Sequence, residues 1–174
     1  MSNAGHRLNL PKDLRYYLII ASGSITSKKA RGEAFNDVSG NVAAALLASE
    51  GYSVVEKIYL PNSADAIRDA VRSCASSGKA DVLLVSGGTG ISSRDVTVEA
   101  VKPLFEKELP GFGELFRHLS YESIGTSAIA SRAMGGVVGG SLVFLLPGSP
   151  EAVRLALQRI ILPESPHLLK MVRG

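Results

Sequence analysis

A glycine-rich turn followed by a carboxylate, residues 86–95 (SGGTGISSRD), is the part of this sequence best suited to chemistry. Gly87, Gly88 and Gly90 can adopt positive φ and carry no side chains, so successive backbone N–H groups can converge on an anion. Asp95 is a hard oxygen ligand of the kind that Mg²⁺ prefers. The pattern fits an anion cradle with a metal ligand. It also fits a tight strand-to-helix connection in which Asp95 caps the helix.

Polar donors beside the turn favour the anion site. Ser92, Ser93 and Arg94 place hydroxyl and guanidinium groups next to the Gly-Gly-Thr-Gly run that contains Thr89. Such groups make strong, charge-assisted hydrogen bonds to phosphate. The run lacks the lysine of a P-loop and the third glycine of a dinucleotide fingerprint, so neither of those motifs is satisfied.

The turn follows a predicted buried strand. Residues 82–85 are four consecutive apolar side chains between Asp81 and Ser86, which is typical of a strand covered on both faces. Similar runs predict strands over residues 16–21, 53–60 and 142–146. Helical patterns between them favour an α/β domain, whose ligands bind at the carboxyl ends of the strands.

Other segments carry weaker signals. Helices are expected from Asp37 to about Gly51 and, after a break at residues 61–63, as far as about Gly78. The remaining expectations are a flexible basic loop at 25–36 with Lys28 and Lys29, a helix over 95–107 split or kinked by Pro103, a break at 110–113, and a short helix over 114–119.

The C-terminal part contains turn and cap signals. Gly139 and Gly140 join two apolar runs and predict a hairpin. After the last strand, Ser149 suits a helix N-cap and Pro150 the first helical position. Pro163 and Pro166 punctuate the tail that follows this helix.

Composition narrows the class of protein. The 174 residues are 45% hydrophobic and 20% charged, as in globular proteins, and the net charge of +3 suits a small anionic ligand. No basic run forms a nucleic-acid patch, and no segment reaches the roughly 18 apolar residues of a membrane span. The single cysteine, Cys74, fits a reducing compartment and helix packing. We expect a cytoplasmic protein with a flexible N-terminal extension, residues 1–14, and one domain over 15–174.

Four ordered motifs make the chain similar to a known family. They are SGGTGISSRDVTVEA, PGFGELFR, AIASRA and LPGSP. In this order and spacing they resemble the molybdopterin-binding MoaB/Mog family, to which the G domain of gephyrin is related, over roughly residues 16–162. The resemblance implies a three-layer α/β/α sandwich with a mostly parallel sheet. It also implies transfer of AMP from Mg²⁺-bound ATP to the terminal phosphate of molybdopterin, in a homo-oligomer that is a trimer or a hexamer.

The resemblance also implies roles for individual residues. Asp95 matches the family's catalytic, metal-associated aspartate, and the turn from Gly87 to Gly90 would hold nucleotide phosphates. Ser131 and Arg132 match a pair associated with the pterin end of the substrate. Pro147, Gly148 and Ser149 match a turn that lies near the nucleotide in the family. By residue type alone, a polar turn is the favoured interpretation of Ser131 and Arg132, and a strand-to-helix connector explains residues 147–149 equally well.

Two further positions stay open between function and structure. Ser22, where the first predicted strand ends, lies in a turn that presents hydroxyls and amides at the sheet edge. The run from Asp37 to Gly40 is similar to the family's Asp-x-Ser-Gly element, and it equally suits a helix N-terminus capped by Asp37.

One position departs from the family pattern. Several adenylating relatives have an aspartate after the proline that ends the second strand, and this chain has Asn62 there. An amide binds Mg²⁺ without contributing negative charge, so metal affinity would weaken. If Asn62 caps the next helix, Asp65 falls in its first turn, where it either supplies the missing carboxylate or only favours the helix dipole.

Two functions are therefore expected. The first is an adenylyltransferase of molybdenum or tungsten cofactor biosynthesis, with Mg²⁺ as cofactor and ATP and molybdopterin as substrates. Its catalytic residues would be Asp95, Asn62 and Asp65. The second is a non-catalytic molybdopterin-binding protein in which Asn62 has weakened turnover.

Overall fold

A six-stranded sheet lies at the centre of the structure, a computed structural model that describes residues 10–174. The strands are β1 (Arg15–Ala21), β2 (Ser53–Leu60), β3 (Val82–Ser86), β4 (Lys107–Glu108), β5 (Met134–Val138) and β6 (Ser141–Leu146). Their spatial order is β2-β1-β3-β6-β5-β4. The first four strands in that order run parallel, and β5 and β4 add an antiparallel edge. The prediction of a mostly parallel sheet is confirmed.

Helices cover both faces of this sheet. They are α1 (Gly23–Ala30), α2 (Val38–Ser49), α3 (Ala64–Ser76), α4 (Thr97–Val101), α5 (Pro110–Ile124), α6 (Pro150–Ala156) and α7 (Leu162–Arg173). Side chains of α2, α5, α6 and α7 pack in one core with the inner strands. Those of α3 and α4 pack in a second core on the other face. The α/β/α sandwich is therefore confirmed, and β3 and β6 are buried along their whole length because both layers cover them.

Two predictions on buried and terminal residues can be compared with the structure. Cys74 lies in the second core, where burial raises the pKa of its thiol to about 11, as expected for a packing residue. The predicted N-terminal extension falls mostly outside the described residues, and Leu14 at its end is buried in the first core. None of the described helices is both long and apolar enough to cross a membrane.

The predicted loop at 25–36 is wrong in its first half. Residues 23–30 form α1, whose N-cap is Ser22. The Ser22 hydroxyl accepts a hydrogen bond from the Ile25 N–H at 3.4 Å, and the Thr26 hydroxyl donates to the Ser22 carbonyl at 2.9 Å. The helix buries no residue, so apolar periodicity gives no sign of it and the local cap decides.

Three predictions for the second half of the chain are also corrected. The helix expected over 95–107 is only α4, because a 3₁₀ turn with Pro103 follows at Lys102–Leu104 and β4 begins at Lys107. The expected break at 110–113 is the first turn of the 15-residue α5, and the short helix expected over 114–119 is the middle of this longer helix. Pro110 occupies a first-turn position of this helix, where its missing N–H costs nothing.

The tail is helical through both of its prolines. Between α6 and α7, Leu157–Ile161 forms a π-helical turn, which ends where the Leu162 N–H donates to the Leu157 carbonyl. The wider turn shifts the hydrogen-bond register just before Pro163 and Pro166, which lack donors of their own. Ile160, Ile161 and Leu169 are buried along this run.

The hairpin and the last cap are confirmed. Gly139 and Gly140 have φ of 55° and 78°, as a two-residue turn between β5 and β6 requires. Ser149 accepts a hydrogen bond from the Ala152 N–H at 3.2 Å, and Pro150 begins α6.

A buried carboxylate ties the sheet to the last helix at the end of β3 opposite the glycine turn. Asp81 accepts hydrogen bonds from the backbone and side chain of Arg15, at 2.8 and 3.0 Å, and from the side chain of Arg173 in α7. Burial alone would raise the pKa of Asp81, but the bonds and charges of the two arginines outweigh it and lower this pKa to about 2.

Asp81→Asn is expected to lower the free energy of unfolding by about 1–2 kcal/mol at pH 7, because both arginines are half exposed and partly screened by solvent. The folded pKa lies below the ordinary value of 3.8. The contribution of Asp81 is thus complete above about pH 4 and is lost as the pH falls toward 2. Urea unfolding of both proteins between pH 2 and 7 measures this. Asp69→Asn, which removes an exposed pair to Arg72, is the control, and equal losses in the two variants would contradict the assignment.

Gly136→Ala is expected to destabilise the protein by about 1–3 kcal/mol through overpacking. A Cβ at this position in β5 would lie 2.5 Å from the ring of Phe105 and 2.8 Å from the carbonyl oxygen of Lys107. Gly111→Ala, where a Cβ meets nothing within 4 Å, should be neutral or slightly stabilising. Thermal unfolding of the pair checks this, and a Gly136→Ala protein as stable as Gly111→Ala would refute it.

Candidate functional site

The glycine turn leaves β3 in a backbone path that only glycine follows easily. Gly87 and Gly88 have φ of 103° and 64°. A Cβ on Gly87 would lie 2.3 Å from the carbonyl oxygen of Ala21 at the end of β1. The Gly87 N–H donates to Leu146, the last residue of β6, at 3.0 Å. The turn is therefore set against the carboxyl ends of both neighbouring strands.

The carbonyl groups of this turn are all bonded to other parts of the chain. Thr97, which is fully buried, donates its hydroxyl to Gly87 at 2.7 Å and its N–H to Gly88 at 2.9 Å. The side chain of Arg132 donates to Thr89 at 3.3 Å and to Gly90 at 2.9 Å.

The N–H groups of the turn are arranged differently. Within residues 10–174, those of Gly88 and Thr89 have no hydrogen-bond acceptor in the chain. The turn thus combines unpaired donors with occupied acceptors, which is the dipole arrangement that an anion requires. Sequence reasoning missed Thr97, whose only signal is a hydroxyl at the start of a short helix after the turn.

Asp95 is held by the loop that follows the turn. Its carboxylate accepts hydrogen bonds from the Ser92 hydroxyl at 2.7 Å and the Ser92 N–H at 2.9 Å. The Ser92 hydroxyl lowers the pKa of Asp95 most, and backbone N–H groups of Ser92 and Gly90 add to this, so the carboxylate is ionised. The expectation that Asp95 caps the next helix is wrong, because α4 begins at Thr97 and the N-cap position is Val96.

A cleft of about 380 Å³ opens over the turn. It lies between the ends of β3 and β6 and the helix α5. It brings together most of the site residues expected from the sequence, namely Gly87, Gly88, Thr89, Gly90, Asp95, Ser131, Pro147, Gly148 and Ser149. We call it the first cleft.

A second cleft of about 330 Å³ adjoins the first. It is lined by Ser22 and by residues of the Asp-x-Ser-Gly element, and it shares Gly87 and Gly148 with the first cleft. The Ser39 hydroxyl donates to the Gly148 carbonyl at 2.6 Å, so α2 is fastened to the shared wall.

The carboxylate of Asp37, which lines the second cleft, is already bonded to other groups of the protein. It caps α2 by accepting from the Gly40 N–H at 2.8 Å, and it bonds Lys57 at 3.1 Å and the Tyr59 hydroxyl at 3.2 Å. Lys29 lies over the ring of Tyr59, 5.4 Å from its centroid. The prediction that Asp37 caps a helix is therefore confirmed. Within this element, Ser39 is the residue that contacts the wall between the clefts.

Several expected residues lie elsewhere. Ser93 and Arg94 are exposed and line neither cleft. Asn62 is also exposed, and it does not cap α3, because Ser63 does, accepting from the Ala66 N–H. Asp65 pairs with Arg68 at 2.7 Å in the first turn of α3, with 84% of its side chain exposed.

Arg132 bonds the carbonyls of the turn and does not line the first cleft, whereas Ser131 does; both residues line a separate cleft. Besides Thr89 and Gly90, its guanidinium contacts the carbonyl of Asp95 at 3.3 Å and both carboxylate oxygens of Glu99. Sequence reasoning did not single out Glu99, although it stands in the first quoted motif.

The donor set fits a metal that arrives with its ligand. The described residues contain no group of three or more histidine, cysteine, aspartate or glutamate side chains placed to hold an ion. Among the described residues that line the first cleft, Asp95 is the only one with a carboxylate. Mg²⁺ is commonly bound by one or two carboxylates together with substrate phosphates and water, so one aspartate beside an anion cradle suits a magnesium–nucleotide complex.

Comparison with known proteins agrees with the motifs. The family described as "Probable molybdopterin binding domain" matches residues 18–167. Molybdenum cofactor biosynthesis protein B of Bacillus cereus is 42% identical over 169 residues, which is 97% of this chain and 96% of the relative. The protein of the same name from Bacillus subtilis is 40% identical over 174 residues, with 99% and 98% covered.

A solved structure agrees as well. The tungsten cofactor synthesizing protein MoaB from Pyrococcus furiosus superposes with a TM-score of 0.82 at 38% identity, over 94% of this chain and 99% of that one. Fold, motif order and sequence identity thus point the same way. The chain belongs to the molybdopterin-binding MoaB/Mog family.

Proposed function

We propose that this protein is an adenylyltransferase of molybdenum or tungsten cofactor biosynthesis, which transfers AMP from ATP to the terminal phosphate of molybdopterin. The observation that carries the proposal is the pair of clefts that meet at Gly87 and Gly148. A protein that binds one ligand needs one cleft. Two clefts with a common glycine wall suit two substrates whose phosphates must react with each other.

We propose one ligand for each cleft from the residues that line it. The pterin end of molybdopterin lies toward Ser131 in the first cleft, and the nucleoside lies toward Ser22 and Ser39 in the second. The phosphates of both then approach Gly87 and Gly148, where no side chain stands between them. The unpaired N–H groups of Gly88 and Thr89 are the donors for this phosphate zone.

The reaction is an in-line displacement. An oxygen of the molybdopterin phosphate attacks the α-phosphorus of ATP, the bond from this phosphorus to the bridging oxygen breaks, and pyrophosphate leaves. No general base is needed because the attacking phosphate is already ionised. The protein has to align two polyanions and neutralise their charge.

Residues of the chain supply most of this alignment and charge neutralisation. The backbone donors of the turn and the dipoles around them stabilise the phosphates, and Asp95 holds the metal of the ATP complex. When bound, Mg²⁺ neutralises phosphate charge and orients the leaving pyrophosphate. The low pKa of Asp95 keeps its carboxylate ionised and ready for that role.

A non-catalytic molybdopterin-binding protein is the second candidate function. It is favoured by Asn62, which provides no carboxylate at a position where several adenylating relatives have an aspartate. Asp65 is a poor substitute, because its carboxylate is bonded to Arg68 and mostly exposed. If transfer occurs, the first cleft with Asp95 therefore carries it without help from Asp65.

Asp95→Asn is expected to lower the rate of AMP transfer by about 10²-fold or more, because it removes the charge that holds the metal. The assay incubates the protein with molybdopterin, ATP and Mg²⁺ and measures adenylylated pterin and pyrophosphate. Asp65→Ala is the matched carboxylate control and should keep the wild-type rate. Wild-type protein that binds molybdopterin and yields no product would establish the second function. Turnover undiminished by Asp95→Asn would overturn the assignment of Asp95.

We also propose that the protein is a homo-oligomer, a trimer or a hexamer. Large apolar side chains are exposed on and after α5, among them Leu115, Tyr121, Ile124 and Ile129. Ile160, Ile161 and Leu169 of the tail are buried in the core and so are not part of such a surface. Light scattering of the purified protein should give three or six protomer masses, and a monomer at micromolar concentration would contradict the proposal.

A further inference from the structure

We infer that Arg132 and Glu99 are positioning residues: their ion pair shapes the loop of residues 89–95 so that the turn and Asp95 present charge complementary to phosphate and metal. This inference rests on the proposed function for its kinetic consequence. The resemblance associates Arg132 with the pterin end of the substrate, and the contacts of its side chain assign it a different task.

The guanidinium of Arg132 bonds backbone carbonyls of the loop. Arg132 donates to the carbonyls of Thr89, Gly90 and Asp95, which bracket the loop at both ends. A carbonyl that points freely toward a phosphate repels it, because both carry negative charge. By bonding these carbonyls, Arg132 draws them to its own side of the loop.

Glu99 holds the guanidinium of Arg132 in a fixed orientation. Its two carboxylate oxygens accept from Nη1 and Nη2 of Arg132, in the bidentate arrangement that fixes the plane of a guanidinium. The hydrogen bond from Arg132 is also the main cause that lowers the pKa of Glu99. Glu99 therefore keeps Arg132 aimed at the loop and balances its charge, so this arginine is not a free anion ligand.

The ion pair is connected to the rest of the turn through α4, because Glu99 lies in this helix. Glu99 is two residues after Thr97, whose hydroxyl and N–H bond the carbonyls of Gly87 and Gly88. One short helix thus secures the first half of the turn directly through Thr97 and the second half through Glu99 and Arg132. Loss of the pair leaves Gly87 and Gly88 in place and frees residues 89–95, including Asp95.

Arg132→Lys and Glu99→Gln test this. Lysine keeps the positive charge without the planar fork, and glutamine keeps the size of glutamate without its charge. Each variant should lower kcat for AMP transfer about tenfold and raise the Mg²⁺ concentration for half-maximal rate severalfold, because Asp95 is displaced by a fraction of an ångström. The double variant should be no slower than the slower single variant, since both break one unit. Arg117→Lys is the control, because Arg117 bonds Ala133 and not the turn.

A second readout uses the free protein and needs no activity. Hydrogen–deuterium exchange should become faster in peptides covering residues 88–95 of both variants, while peptides of β1 and β6 exchange as in the wild type. Wild-type protein without transfer would refute the proposed function and leave the exchange result to decide on the ion pair. Unchanged exchange at 88–95 overturns the positioning role. So does faster exchange in variants of an active enzyme whose kcat and Mg²⁺ dependence stay at wild-type values.

Discussion

The structure depends on one arrangement of backbone dipoles, the turn that follows β3. Four successive carbonyls from Gly87 to Gly90 are bonded by Thr97 and Arg132, and two N–H groups of the same turn have no partner within the described part of the chain. Peptide groups have no preference of their own for this arrangement. It arises because β1 approaches so closely that only glycine fits at position 87, and because a short helix and an arginine take up the acceptors.

The parallel sheet places this turn where two clefts meet. β3 and β6 run side by side in register, so the glycine turn after one and the Pro-Gly-Ser turn after the other emerge at the same edge. The opposite end of β3 is fixed by Asp81, which joins β1 and α7 through two arginines. The strand that delivers the turn is thus anchored at both ends. Groups at the end of a strand fixed in this way are held in a defined position.

Much of this was predictable from sequence, and the failures have physical causes. The strands other than β4, the Gly139–Gly140 hairpin and the Ser149 cap follow from local chemistry, because apolar runs, positive φ and hydroxyl caps act over a few residues. The helix α1 was missed because it buries nothing. The length of α5 was missed because Pro110 and two glycines resemble a break when their neighbours are not known.

The site was predicted unevenly for a similar reason. Residue types and motif order predicted which residues meet in the first cleft. The contacts of Arg132 were not predictable, because its carbonyl acceptors lie 37 to 43 residues away in sequence and only the fold brings them together. Glu99 has the same character, since a glutamate on a short exposed helix carries no local signal. Long-range polar contacts of this kind are invisible to pattern and spacing.

The wall between the clefts is a single layer of peptide backbone at its thinnest point. A Cβ added to Gly148 would come within 3.3 Å of the Gly87 Cα, so the two main chains nearly touch. Gly87 and Gly148 have no side chains, so only backbone separates the clefts there, and a side chain at Gly87 would also clash with the carbonyl oxygen of Ala21. A residue larger than glycine at position 148 would therefore crowd the boundary that the two clefts share.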